Sequence, residues 1–159
     1  MGGVIGWLEA SSLAVWTRES PSIWAYPTIL TLHTVGLGIV VGANAVIDFT
    51  LLGFAPRLPL QSLGPLFPVI WSAFALNAVT GMVLFIADAT TKSHQPVFYI
   101  KLTLIALALW NTALIRRVMS VEREGPVPAN PLGRSKRLAV VSLLLWTGAI
   151  AAGRLMAYL

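Results

Sequence analysis

The sequence predicts an all-α integral membrane protein: a four-helix bundle with an N-terminal interfacial amphipathic helix. Three observations predict it. Of 159 residues, 57% are hydrophobic and 11% are charged, with mean hydropathy +0.79, whereas ordinary soluble domains carry about 25% charged residues. So little polar surface cannot cover the chain in water. Four apolar runs each exceed the ~20 residues needed to cross a hydrocarbon core of ~30 Å. Most of the basic residues gather in the stretch 116–137, beside two of those runs, as at a cytoplasmic membrane flank. The length suits one domain, 1–159.

Residues 4–19, "VIGWLEASSLAVWTRE", are too short and too polar to span, and they lack the basic start of a signal peptide. They are expected to lie flat, with Trp7 and Trp16 at headgroup level. Ser20-Pro21 turns the chain into a first span over residues 23–54, long enough that it should tilt or project. "FAPRLPLQSLGP" breaks it with three prolines and a glycine, and a second span follows at 66–88. "ATTKSHQP" reads as a short turn, with Pro96 suited to the first turn of a third span at 97–119. "VEREGPVPANPLGRSKR" is the one substantial loop, and the fourth span covers 138–159.

Orientation follows from lysine and arginine near the span ends. The third connection holds Arg116, Arg117, Arg123, Arg134, Lys136 and Arg137, while the other connections hold Arg57 or Lys92 alone. The expected arrangement is a multi-pass protein of the bacterial inner (cytoplasmic) membrane. Its loop 120–137 and Arg57 lie in the cytoplasm, and both termini lie outside with His94.

Composition excludes several classes of function. With no cysteine there is no disulfide, thiolate metal site or cysteine nucleophile. The net charge of +5 is not spread along a groove-reading helix, so nucleic acid is not an expected partner. H-E-x-x-H, G-x-S-x-G, Walker A and paired intramembrane aspartates are all missing, and hydrolysis by this chain is not expected. The expected partners are the lipid bilayer and either further copies of the chain or other membrane subunits.

Polar residues inside the spans carry what functional signal there is. His33 and Asn44 are eleven residues apart, about three helical turns, so they share a face. Asp48 and Val40 fall near the same line, with Gly36 on its edge. Gly38 and Gly42 add a G-x-x-x-G spacing that admits a neighbouring helix. His33 lies nine residues beyond Trp24, ~13 Å along the axis, and so well inside the hydrocarbon. An imidazole there either hydrogen-bonds another helix or ligates a metal. An inward histidine with small neighbours in a four-helix bundle also suits an axial ligand of haem b.

The second ligand stays open. His94 sits in the outer turn, as a solvated histidine or one folded over a haem edge, and Met156 is a further candidate. Lys101 and Arg154 are either snorkelling cations or partners of haem propionates. Asp88 shares a face with Asn77 and is expected to pair with Arg154 or Lys101; Asp48 is expected to meet Arg57, Arg116 or Arg117. Asn44, Asn77 and Asn111 are expected structural polar groups. The functional expectations are therefore a b-type haem redox or electron-transfer subunit with His33 as ligand, a non-catalytic membrane subunit, and a small transporter lined by the polar stripes.

"WLEASSLAVWTRES" followed by "PTILTLHTVGLGIVVGANAVIDFTLLG", "AFALNAVTGMVLFIADAT" and "PVFYIKLTLIALALWNTAL" resembles a family of small uncharacterised bacterial four-helix membrane proteins, a domain of unknown function. The resemblance covers about residues 7–117. More distantly, the inward histidine, the glycines after it and the lysine opening helix three are similar to CopD-type copper-resistance proteins. They are similar also to HemJ-type membrane protoporphyrinogen oxidases. The latter resemblance implies haem ligation by His33 and an essential place for Lys101. Where those oxidases commonly carry a further histidine in helix three, this sequence reads "WNTAL", with Asn111.

Overall fold

The computed structural model describes residues 3–55, 58–124, 131–156 and 158; the side chains of 60–61, 121–124 and 131–132 lie outside the description. The fold class is the expected one, all-α of the four-helix membrane type, with no strand among the described residues. Two short helices, α1 (Val4–Glu9) and α2 (Ser12–Glu19), lead into α3 (Tyr26–Leu52). A 3-10 turn at Leu60–Leu63 precedes α4 (Leu66–Ala87), then come the short α5 (Ala89–Ser93), α6 (Pro96–Glu124) and α7 (Pro131–Leu155). The helices α3, α4, α6 and α7 are long and apolar enough to cross a membrane.

Local chemistry explains where the boundaries differ from expectation. The N-terminal stretch is two helices because Ser11 starts a new one, its hydroxyl accepting from Ala14 N at 3.3 Å as an N-cap. Gly53, at φ +94, stops α3 two residues before the expected end. Phe54 N–H reaches Phe49 O and Gly53 N–H reaches Thr50 O, both at 3.0 Å, and the Phe49 and Phe54 rings meet edge to face. That is a complete Schellman cap with its apolar contact. Asp88, at φ −146 and ψ 47, ends α4, so the expected turn "ATTKSHQP" contains one more helix. Pro96 and Pro131 each open a helix, where a missing N–H is harmless.

The expected loop 120–137 is helical up to Glu124 and again from Pro131. Residues 125–130 lie outside the described residues. Arg116, Arg117, Arg134, Lys136 and Arg137 therefore ride on helices, all of them exposed.

The chain divides into two compact units. One comprises residues 1–40 and 71–96. In it, small buried residues (Ala14, Thr17, Ala25, Ala87, Ala89) permit close helix approach, while Trp7, Trp16 and Trp24 are exposed. The other comprises residues 41–70 and 97–159. Its core is built on helical repeats: Asn44, Ile47, Asp48 and Leu51 on α3; Ala108, Asn111, Thr112, Ile115 and Met119 on α6; Ser135, Ala139, Ser142, Trp146 and Ala149 on α7. These three- and four-residue steps keep one face of each helix inward.

A polar clasp in the first unit fastens α1 and α2. Glu9 accepts from the Thr90 hydroxyl and from Thr90 N at 3.1 Å, capping the start of α5 from outside. Arg18 Nη1 donates to Ala87 O at 3.1 Å and lies 3.5 Å from Glu9 Oε1. The Thr90 hydroxyl, then its N–H, hold the Glu9 carboxyl below the usual glutamate range, with Arg18 adding to them. Because the folded value is depressed, the clasp is whole at and above the ordinary value of 4.5 and is lost as pH falls below it through the lowered one. Acidification through that window should expose α1 and α2, read as a change in tryptophan emission and faster proteolysis before Ser20. In Glu9→Gln the pH response should disappear and the segment should be looser at neutral pH.

Candidate functional site

Within the first unit, α3 and α4 are joined through His33. Its Nδ1 lies 2.9 Å from Asn77 O and 3.2 Å from Thr80 Oγ1. A carbonyl only accepts, so Nδ1 carries a proton. Asn77 Nδ2 donates back to His33 O at 2.7 Å, and Thr80 Oγ1 donates to Leu76 O at 2.7 Å. Side chain therefore meets backbone in both directions across one helix pair.

Two glycines make room for this exchange. A Cβ on Gly36 would stand 3.2 Å from Ala73 O, and one on Gly81 would stand 2.9 Å from His33 Cε1. The imidazole thus lies against bare backbone. Gly38 and Gly42 differ, for a Cβ on either would meet nothing within 4 Å, and both are exposed.

The second unit holds another polar set. Thr112 Oγ1 donates to Asn44 Oδ1 at 2.7 Å, tying α6 to α3, and Asn111 Nδ2 donates to Leu138 O at 2.9 Å, tying α6 to α7. Asp48, one turn after Asn44, is wholly buried with hydrogen bonds to neither carboxyl oxygen among the described residues. Ser142 on α7 faces it, near enough to interact without completing a well-formed hydrogen bond. Trp146, one turn along α7, has a buried Nε1 also without a partner among the described residues.

The remaining sequence candidates fall elsewhere. Asp88 pairs with Lys92 at 3.3 Å, four residues on, a local partner that the sequence reading did not name. A helix break at Asp88 turns its carboxylate toward its own short helix, where a local partner needs little ordering. Among the described residues Asp48 has no ion pair with Arg116 or Arg117; Arg116 lies over the Phe67 ring at 5.9 Å, and Arg57 is outside the described residues.

His94 is exposed at the end of α5, with Nδ1 2.7 Å from Thr90 O on its own turn. Lys101 lays its stem on Gly153, Cε 3.4 Å from where a Cβ would be. Arg154 is exposed over the Tyr158 ring at 5.4 Å, and Met156 follows the end of α7. The structure thus brings Lys101 beside the residue preceding Arg154, in the second unit, whereas His33 and Gly36 belong to the first. Among the described residues, no three His, Asp or Glu side chains cluster to hold a metal ion.

Sequence reasoning missed Thr80, Thr112, Ser142, Trp146 and the Glu9–Thr90 clasp. Thr80 and Gly81 sit three and four residues after Asn77, and Trp146 four after Ser142; those spacings were the only signal.

Helices and polar clasps of this kind define a multi-pass membrane protein, whose apolar helices suit a lipid bilayer. Neither protein-family models, nor characterised proteins, nor solved structures match the chain. Gly81→Ala should push the imidazole from its seat and lower stability by about 1–3 kcal/mol, the usual effect of overpacking. Gly38→Ala, facing open space, should leave it unchanged. Thermal unfolding of both variants in the same detergent checks the contrast.

Proposed function

We propose that this chain is a non-catalytic integral membrane subunit of the bacterial cytoplasmic membrane, packing with further copies of itself or with other membrane subunits. The observation that carries this reading is the His33 exchange. The one span histidine is engaged in joining α3 to α4, so its presence in hydrocarbon has a structural cause. Interhelical hydrogen bonds inside membranes contribute about 0.6 kcal/mol each and up to about 1.7, a useful sum when three converge. Gly38 and Gly42, exposed on α3, give a second helix room to approach closely.

A second reading, the b-type haem redox subunit, is favoured by one feature of the same histidine. Nδ1 donating to a backbone carbonyl is the support found for histidines that ligate metals through the other ring nitrogen. Haem would supply one-electron chemistry at that nitrogen. The likeness to HemJ-type and CopD-type proteins supports this reading too. The ring's seat on Gly81 sets its limit, because backbone occupies the Cε1 edge.

The two readings part on an absorption spectrum. The subunit reading expects colourless protein from haem-replete cells, with His33→Gln still folded and still associating, and Gly38→Leu/Gly42→Leu reduced to monomer in cross-linking. A Soret band lost in His33→Ala would overturn it in favour of haem.

For orientation we propose the cytoplasm for the α6–α7 connection, and the outer side for His94 and both termini, on the basic charge of α6 and α7. The chain has no cysteine, so single replacements report without background. Ser93→Cys in intact cells should react with an impermeant maleimide, and Arg134→Cys only after lysis.

A further inference from the structure

We propose that Asp48, with Ser142 beside it, is a binding site within the membrane span for a small monovalent cation, either a proton carried on the carboxyl or a sodium ion held by its oxygens. This inference is independent of both readings above.

Burial and charge carry it. Asp48 and Ser142 are 0% exposed and Trp146 is 3% exposed, and all three hold buried polar atoms without hydrogen-bond partners among the described residues. An isolated carboxylate taken from water into apolar surroundings costs far more than one fold can spare. Some positive charge must therefore accompany it.

The described charged side chains of the surrounding helices do not supply one. On α6, Arg116 and Arg117 are exposed, with Arg116 over Phe67, and Lys101 lies along Gly153. On α7, Gly153 is eleven residues from Ser142, ~16 Å along the axis. Arg134, Lys136, Arg137 and Arg154 on α7 are all exposed. The portions of α3 and α4 in this unit bring no cation, and Arg57, Glu122, Arg123 and Glu124 have no described side chains.

Size narrows the guest further. With no exposure at Asp48 or Ser142, only a proton or a monoatomic ion suits the site. Asn44, one turn away, already has its oxygen engaged by Thr112. A proton arrives by transfer from hydronium to a carboxylate oxygen, leaving water. A sodium ion exchanges hydration water for the Asp48 and Ser142 oxygens. Both put one positive charge on one negative group and break no bond of the protein.

The chain has only two aspartates, Asp48 and Asp88, which makes the test direct. Asp88 is partly exposed with a local partner, so Asp88→Asn protein labelled with carbon-13 aspartate and reconstituted in lipid carries one labelled carboxyl, at Asp48. Infrared spectra are then recorded across pH, in H2O and D2O, and in sodium or choline. For a bound proton, the expected result is a protonated-carboxyl band that shifts on deuteration of the folded protein. For sodium, carboxylate bands should move when choline replaces it. Any other result would overturn the proposal: carboxylate bands indifferent to pH and to cation reveal a fixed protein partner, and a protonated band that never exchanges reveals a sealed structural group.

Discussion

A polar group in hydrocarbon has no water to turn to, so every donor and acceptor in a span must be answered by the protein itself or by something it binds. That requirement orders the side chains of this molecule. Threonines answer it within one turn. Thr31, Thr34, Thr50, Thr80 and Thr103 each donate to the carbonyl four residues back. Amides and imidazole are too large for that solution, so Asn77, Asn111 and His33 reach a second helix instead. The pairing of helices is thus specified by the residues that cannot satisfy themselves, while the apolar faces supply packing without direction.

Glycine completes that arrangement, and its four span positions in α3 and α4 nearest the clasp play two different parts. Gly36 and Gly81 lie where any side chain would meet another helix's atoms. Gly38 and Gly42 meet nothing. The G-x-x-x-G spacing named the second pair, yet packing inside the chain depends on the first. A spacing motif records that two residues share a face but not which face is already occupied. For the same reason the inward stripe Gly36, Val40, Asn44 and Asp48 could be drawn from helical period alone, whereas the partners of its members could not.

Fold class and the four spans were legible because length and hydropathy act through the bilayer, which is the same for every chain. Boundaries were legible where proline marks a helix start at Pro96, and less so at Pro131, which read as loop, and where a cap decides. Gly53 ends α3 by its left-handed φ, and Ser11 divides the N-terminal helix by one hydroxyl. Charge pairing was the least legible. The helix break at Asp88 places Lys92 one turn away, a local partner for the carboxylate that span positions alone did not suggest. Sequence distance says little about which of several cations a carboxylate meets, because long side chains reach many places and the shortest loop closure wins.

The same physics separates His33 from Asp48, the two groups that drew attention in the first span. His33 has its Nδ1 and its backbone carbonyl engaged by Asn77 and Thr80 on the neighbouring helix, so helix pairing gives it a place in the membrane. Asp48 differs in kind. An asparagine there would keep the shape and remove the charge, as Asn44 does one turn earlier with its bond to Thr112. Retaining a carboxyl among groups that do not answer it adds nothing to packing, since a buried charge is weak support for a fold. Structural demand accounts for the histidine and leaves the aspartate over, and a group that folding does not require is where binding is best sought.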